Sequence, residues 1–292
     1  FNASFSLNDR TRTFLKVQDG CDYTCSFCTI PMARGKSRSD SIANVVAHAQ
    51  NLAQKGVKEI VLTGVNLGDF GKGPDGNKKG EENFFALAQA LENVAGIDRY
   101  RISSIEPNLL TPEIIEWVAG SKKFMPHFHI PLQSGSNEIL GLMRRRYKRE
   151  LYAERVEMIK SLMPHCAIGV DVIVGFPGES DVHFKETFDF LHNLDVSYLH
   201  VFTYSERADT KALEIKPVVP INVRHERNKA LRNLSYMKMQ HFTAQHNGQS
   251  RPVLFEDHIK NGMMEGYTDN YIRITTPYNA QMANQIVDWK IL

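Results

Sequence analysis

At 292 residues, 42% of them hydrophobic, the chain is long enough for one large domain plus a small one around a real core, which excludes a disordered polypeptide. Lysine and arginine number 35 against 33 aspartate and glutamate, a net +2, so net charge gives no warrant for nucleic-acid binding and any such argument must be local. No run approaches the ~18 apolar residues of a membrane span and no signal peptide opens the chain, so the sequence reads as soluble and cytoplasmic, with no membrane partner.

In chain order, strands and helices alternate. Short β-rich runs at 13–17, 59–63, 100–105, 128–132, 169–174 and 198–204 are separated by helix-like segments that include 41–54, 84–94, 112–119, 150–161 and 181–193. Strand, crossover helix, strand implies a parallel sheet, because parallel neighbours need a long connection. Six such units in roughly 200 residues fit a partial (β/α)6 barrel of the TIM kind better than a closed eightfold one, with the loops after the strands forming the working face. Pro217 and Pro220 end that pattern, and 221–247 reads as one connector helix. From Gly248 on, short alternating strands broken by Asn-Gly, Glu-Gly and Thr-Pro turns predict a small all-β domain. The expected organisation is therefore a linker at 1–9, a barrel at 10–220, the connector, and a β domain at 248–292.

Directly after the first predicted strand, Cys21, Cys25 and Cys28 form a C-x3-C-x2-C loop. Three thiolates can hold three irons of a four-iron four-sulfur cluster and leave one iron open to a ligand that is not protein. A zinc site wants a closed set of four, and here no second C-x-x-C exists and only scattered histidines could complete one. A disulfide fits less well still, given the tight spacing and the missing secretion signal. Cys166, before the fifth strand, reads as a small buried hydrophobe.

Further polar residues stand at strand ends, where such a fold works: Thr63, Gly64 and Asn66 after the second strand, Ser104 and Glu106 in "SSIEP", and Gln133 after the fourth. Asp171 lies inside the apolar fifth strand, a costly place for a charge unless it is paired or faces a polar cavity. His127, His129 and His200 lie in strands and read as ordinary hydrogen-bonded or pocket histidines. Five basic residues fall between Arg144 and Arg149, either a solvated helix face or a phosphate contact, and Arg34, Lys36 and Arg38 flank the cysteine loop. The β domain is slightly acidic. Its basic neighbours sit on the connector, as Arg224, Arg227, Lys229, Arg232 and Lys238, while Tyr267, Tyr271 and Arg273 are candidates for base stacking or phosphate contact, or else for the β core. The expected RNA-contacting set is Arg34, Lys36, Arg38, Arg144, Arg146, Arg232, Lys238 and Arg273.

With aromatic Phe27 before the last cysteine and a barrel behind, the loop resembles the radical S-adenosylmethionine superfamily. "LTGVNLGDFG", "RISSIEP", "HIPLQSGSNEILGLMRRRY", "GVDVIVGFPGES" and "FTYSERADTKA" occur in the order found in methylthiotransferases, and the last domain resembles their TRAM domain, so that the likeness covers nearly all of 10–292. "FLKVQDGCDYTCSFCTIPMARGKSRS" and "FHIPLQSGS" look most like the branch that modifies threonylcarbamoyladenosine beside the tRNA anticodon, ahead of the isopentenyladenosine and ribosomal-protein aspartate branches.

The resemblance implies a [4Fe-4S] cluster on Cys21, Cys25 and Cys28 whose open iron chelates S-adenosylmethionine. Reductive cleavage would give a 5'-deoxyadenosyl radical that abstracts hydrogen from carbon 2 of the adenine, followed by sulfur insertion and methylation. It also implies that Phe27, Thr63, Gly64, Asn66, Ser104, Glu106, Gln133, Arg145 and Asp171 surround S-adenosylmethionine. Thr63 and Gly64 would lie at its amino group, Glu106 at the ribose hydroxyls and Arg145 at the carboxylate. The implied partners are a tRNA anticodon stem-loop and a reducing electron donor. One departure bears on activity: the family carries an N-terminal domain whose three further cysteines hold a second [4Fe-4S] cluster, and residues 1–8 resemble the linker after it. The expectation is a chain that cleaves S-adenosylmethionine without completing sulfur insertion. A noncatalytic, metal-stabilised RNA-binding module is the competing class, and another radical enzyme such as a ring methylase the competing chemistry.

Overall fold

The computed structural model describes residues 11–72 and 82–292, so the expected linker at 1–9 lies outside the described residues. Strand β1 (Arg12–Lys16) leads into a short β2 (Gln18–Asp19), which pairs antiparallel with β3 (Arg38–Ser39) across the base of the cysteine loop. Next come β4 (Glu59–Thr63) and β5 (Arg99–Ile102), giving a parallel sheet in the order β1-β4-β5. A second parallel sheet, β6-β7-β8, is built from β6 (His127–Gln133), β7 (Ala167–Val174) and β8 (Tyr198–Thr203). Backbone bonds join the two sheets between β5 and β6, from Met125 N to Tyr100 O at 3.0 Å and from Ile105 N to His129 O at 3.1 Å. All six strands therefore run in one direction, as parallel crossovers through helices require.

The crossover helices are α1 (Ile30–Arg34), α2 (Ile42–Gln54), α3 (Phe84–Glu92), α4 (Pro112–Gly120), α5 (Asn137–Leu142), α6 (Arg149–Leu162) and α7 (Asp181–Asn193). Side-chain caps fix several starts: the Ser41 hydroxyl accepts the Asn44 N–H ahead of α2, and Ser180 with His183 forms a capping box on α7. Leu15, Ile60, Leu62, Ile130 and Val170 on the strands pack with Val45, Leu52, Leu87 and Val156 on the helices in one continuous core. Each such side chain contributes about 1.5–3 kcal/mol on full burial. Among the described residues no helix is long and apolar enough to cross a membrane.

Helix α8 (Ile221–Ala244) covers the stretch expected as a connector, but it packs on β8 and β7, and its Leu231 and Leu234 join the main core. Arg224 and Arg227, expected among its RNA-facing cations, are buried instead: Arg227 pairs with Glu179 at 2.6 Å and Arg224 donates to Val219 O and Tyr204 O. The chain ends in an antiparallel sheet of β9 (Ser250–Phe255), β10 (Met263–Thr268), β11 (Arg273–Pro277) and β12 (Ile286–Lys290), ordered β11-β10-β9-β12. This sheet sits at the amino ends of β1, β4 and β5, where Arg99 donates to Pro252 O and Tyr267 O and Arg101 to Thr268 O and Asp269 O.

Two local expectations are corrected. The strand expected over 100–105 stops at Ile102, so Ser104 and Glu106 lie on the loop that follows it. The basic run is not a helix face: α5 ends at Leu142, Arg144 takes a left-handed φ of 57°, and α6 starts only at Arg149.

Candidate active site

The cysteine loop is closed as a ring at its base. Gln18 is fully buried, and its amide donates to Asp19 O, Gly20 O and Ser37 Oγ at 2.8–2.9 Å while its carbonyl accepts the Asn66 N–H at 2.8 Å. Cys21 N donates to Gly35 O at 3.1 Å. Gly20, at φ +69°, has no room for a side chain, since a Cβ there would stand 2.1 Å from Lys36 O. The loop tip is pinned from outside: Ser26 N donates to Met143 O, Ser26 Oγ to Leu142 O at 2.7 Å, and Ala212 N to Ser26 O at 2.8 Å. Phe27 sets its ring edge-on to Phe176, with centroids 6.2 Å apart. Gly20→Ala is expected to destabilise the chain by well over the roughly 1–3 kcal/mol of a strained backbone alone and to open the ring. Thermal denaturation checks this against Gly56→Ala, where φ is also positive but nothing lies within 4 Å of the added methyl.

All three cysteines are half-buried free thiols, and each sulfur accepts one N–H: Cys21 from Tyr23 N and Cys28 from Ile30 N, both at 3.4 Å, and Cys25 from the Arg145 guanidinium at 3.2 Å. Burial pushes the Cys21 thiol up to about 11 and also raises that of Cys25, where Arg145 pulls the other way. Such thiols stay protonated at neutral pH until a metal displaces the proton. Among the described residues no group of three or more His, Cys, Asp or Glu side chains is arranged around a single-ion position. Three sulfurs on one loop, each with its own N–H donor, suit a group that offers a separate iron to each.

Around the loop stand several of the residues singled out in the sequence. Arg145 is nearly buried; it ion-pairs with Glu106 and donates from Nε to the Tyr147 hydroxyl at 3.2 Å, which in turn donates to Pro131 O or Leu132 O. Burial pushes the Glu106 carboxyl above its ordinary value, against the pull of Arg145. Gln133, at φ 70°, lies where the β6-β7 register slips between Pro131 and Gln133. Asn66 is buried; its Nδ2 donates to Asp69 at 3.0 Å and its Oδ1 has no partner. Asp171 has its counterpart in His129, 2.9 Å away, with the His200 ring 5.1 Å from that of His129. Thr63 ends β4 and its carbonyl accepts the Val17 N–H.

At Gly64 a Cβ would meet Gln18 Oε1 at 2.9 Å, so this glycine makes room for Gln18. Gln18 itself went unnoticed in the sequence, since a lone glutamine before "DGC" carries no pattern. Tyr147 ends the "MRRRY" run, where the arginines mask its anchoring role.

The expected RNA contacts divide. Arg34 and Arg38 both pair with Asp19 beside the loop, at 3.2 and 2.9 Å, and Arg146 lies 4.0 Å over the Tyr23 ring and donates to Asp22 O. Lys36 and Arg144 are exposed nearby. Arg232, Lys238 and Arg273 lie apart from the loop, on α8 and β11. Lys238 is spent on the His192 and Leu194 carbonyls at the end of α7, and Arg273 faces Glu265 at 3.8 Å. Tyr267 and Tyr271 stack on each other, and Tyr271 stacks on His127 at 4.1 Å, so both rings join the C-terminal sheet to the parallel strands. Cys166 is fully buried in the core, and burial raises its thiol to about 12.

Three free thiols on the loop after the first of six parallel strands define an α/β protein with a three-cysteine site. The chain belongs to the radical SAM superfamily, whose family model matches residues 15–191. It is similar to the threonylcarbamoyladenosine tRNA methylthiotransferases MtaB of Bacillus subtilis, at 41% identity over 98% of this chain and 64% of that one, and of Aquifex aeolicus, at 43% over 90% and 62%. A tRNA-2-methylthio-N(6)-dimethylallyladenosine synthase of Pelotomaculum thermopropionicum is 36% identical over 84% of this chain and 54% of its own. The chain thus spans less than two thirds of the length of these relatives. Among solved structures, methylornithine synthase (PylB) aligns with a TM-score of 0.52 at 12% identity, covering 77% of this chain and 62% of that one. The methyltransferase TsrM from Kitasatospora setae aligns at 0.51 and 17%, covering 65% and 35%. At these identities the likeness is one of fold.

Proposed function

We propose that the chain is the radical-generating part of a tRNA methylthiotransferase acting on carbon 2 of threonylcarbamoyladenosine beside the anticodon. In this reading the six parallel strands form a partial (β/α)6 barrel and the C-terminal sheet is a TRAM-like domain. The observation that carries it is the ring-closed loop with three thiols, each sulfur met by one N–H, at the carboxyl ends of those strands. Cys21, Cys25 and Cys28 would hold three irons of a [4Fe-4S] cluster. When bound, that cluster and S-adenosylmethionine supply a 5'-deoxyadenosyl radical from one electron of a reducing donor.

The chain's own residues have simpler tasks. Gln18, Ser26 and the backbone around Gly20 and Gly35 fix where the thiols stand. Phe27 packs edge-on against the buried Phe176 and so steadies the loop before Cys28. Glu106, Asp171, Asn66 and Gln133, with Thr63 and Ser104, offer acceptors and donors to the amino acid and ribose of S-adenosylmethionine. Asn66 Oδ1, buried without a partner, is a standing acceptor for one of these donors. Arg34, Lys36, Arg38, Arg144 and Arg146 around the mouth would meet the phosphates of an anticodon stem-loop. A tRNA substrate makes the cytoplasm the place of action.

The test is anaerobic reconstitution with iron and sulfide, then dithionite and S-adenosylmethionine, with 5'-deoxyadenosine assayed in the presence of stem-loops carrying threonylcarbamoyladenosine or isopentenyladenosine. Greater stimulation by the first supports the proposal. Greater stimulation by the second moves the chain to the other tRNA branch, and zinc uptake without cleavage leaves an RNA-binding module.

A further inference from the structure

The three sulfurs are not equivalent. Cys21 and Cys28 accept neutral backbone amides from their own loop, two residues on. Cys25 accepts from Nη1 of Arg145, a charged group 120 residues away in sequence. Among the described residues this is the one hydrogen bond to these sulfurs that carries a full charge. Its geometry is built, not incidental. The Arg145 side chain is 4% exposed, Nη2 is held by Glu106, Nε by the Tyr147 hydroxyl, and that hydroxyl is anchored on the β6 backbone at Pro131 and Leu132. The left-handed turn at Arg144, which breaks the basic run into a non-helical segment, delivers Arg145 inward and Arg146 outward over Tyr23.

From this geometry we infer that Arg145 is a positioning residue that sets the reduction potential of the iron group held by Cys25, and that Glu106 is the counter-charge that moderates it. The inference rests on the cluster reading above. A cation beside a thiolate stabilises the state with one more electron, because adding negative charge next to a fixed positive one is favourable in a site poor in water. Hydrogen bonds to cluster sulfurs are among the levers by which proteins set such potentials. Glu106 opposes this: its carboxylate lies on the same guanidinium and removes part of the field that Cys25 would otherwise feel. The pair therefore lets one face of the loop adjust the potential while Cys21 and Cys28 keep ordinary amide donors. The same contact explains why a guanidinium is needed here, since a lysine ammonium lacks the fork that reaches Sγ, a carboxylate and a hydroxyl at once.

The two side chains predict shifts of opposite sign, which a merely structural role does not. The experiment uses the full chain, reconstituted anaerobically, with the midpoint potential read by spectroscopic redox titration in the absence of S-adenosylmethionine. Arg145→Gln is expected to lower the midpoint by about 59 mV or more, a tenfold change in a one-electron equilibrium. Glu106→Gln is expected to raise it. Arg145→Lys, which keeps the charge but not the fork, is expected between parent and Arg145→Gln, and it serves if Arg145→Gln loads iron poorly. Midpoints equal to the parent in all variants, or shifts of one sign for both positions, overturn the inference while leaving the cluster reading intact. A parent chain that takes up no iron overturns that reading and the inference with it.

Discussion

A Cys25→Ala chain is expected to keep its fold and lose its iron. Loop position does not depend on the thiols: it is set by Gln18, by the Cys21 N to Gly35 O bond, and by Ser26 bridging Leu142, Met143 and Ala212. The melting curve should therefore move by no more than the roughly 1 kcal/mol of an average substitution. Iron and sulfide per chain after reconstitution should fall to a small fraction, and deoxyadenosine formation by more than the roughly 10–100-fold that loss of an outer partner costs a metal site. Cys166→Ala is the control. That thiol is fully buried among apolar side chains, so its loss should lower stability while leaving iron uptake unchanged. Equal iron uptake by Cys25→Ala and parent would remove the cluster reading and leave the three cysteines without metal chemistry.

The period of the chain was easy to read because burial is periodic: β4, β7 and the faces of α2 and α6 carry their apolar residues where a parallel sheet covered by helices needs them. The cysteine loop was legible for a different reason, since three thiols at fixed spacing have few other uses. What the sequence hid are the partners that come from far along the chain. A run of arginines looks like one charged face, yet its members go three ways: Arg145 into the site, Arg146 over Tyr23, Arg144 to solvent. The basic residues of α8 look exposed on charge alone, but Arg224 and Arg227 are buried because Glu179 and backbone carbonyls wait for them. Charge counting sees sidedness only where a helix has a solvent face. The buried polar network around Gln18 is equally silent, since only the fold brings β2, β3 and the loop after β4 together.

The largest stability effect is expected at Glu59, far from the thiols. Its carboxylate has no exposure and stands among three guanidiniums: Arg101 Nε at 2.9 Å, Arg99 at 3.9 Å and Arg12 at 3.9 Å. Two of these arginines spend their remaining donors on C-terminal sheet carbonyls at Pro252, Tyr267, Thr268 and Asp269, and Arg12 reaches Glu256 at 2.9 Å. One buried anion thus holds the cations that fasten the sheet to the parallel strands. Glu59→Gln keeps the shape and removes the charge, leaving the guanidiniums buried without it, which costs about 3–5 kcal/mol for a broken buried pair. At ~2–4 °C per kcal/mol for a chain near this size, the melting temperature should fall on the order of 10 °C. An isolated buried pair can often be replaced whole by apolar residues at no loss. Here a Glu59→Leu/Arg101→Met double variant should not recover, because the carbonyls of Thr268 and Asp269 lose their guanidinium partner. Amide exchange should locate the damage, rising first in β9 and β10 while α2 and α3 stay protected. Recovery by the double variant, or uniform loss of protection, would mean that the sheet is held by its apolar contacts and not by the arginines.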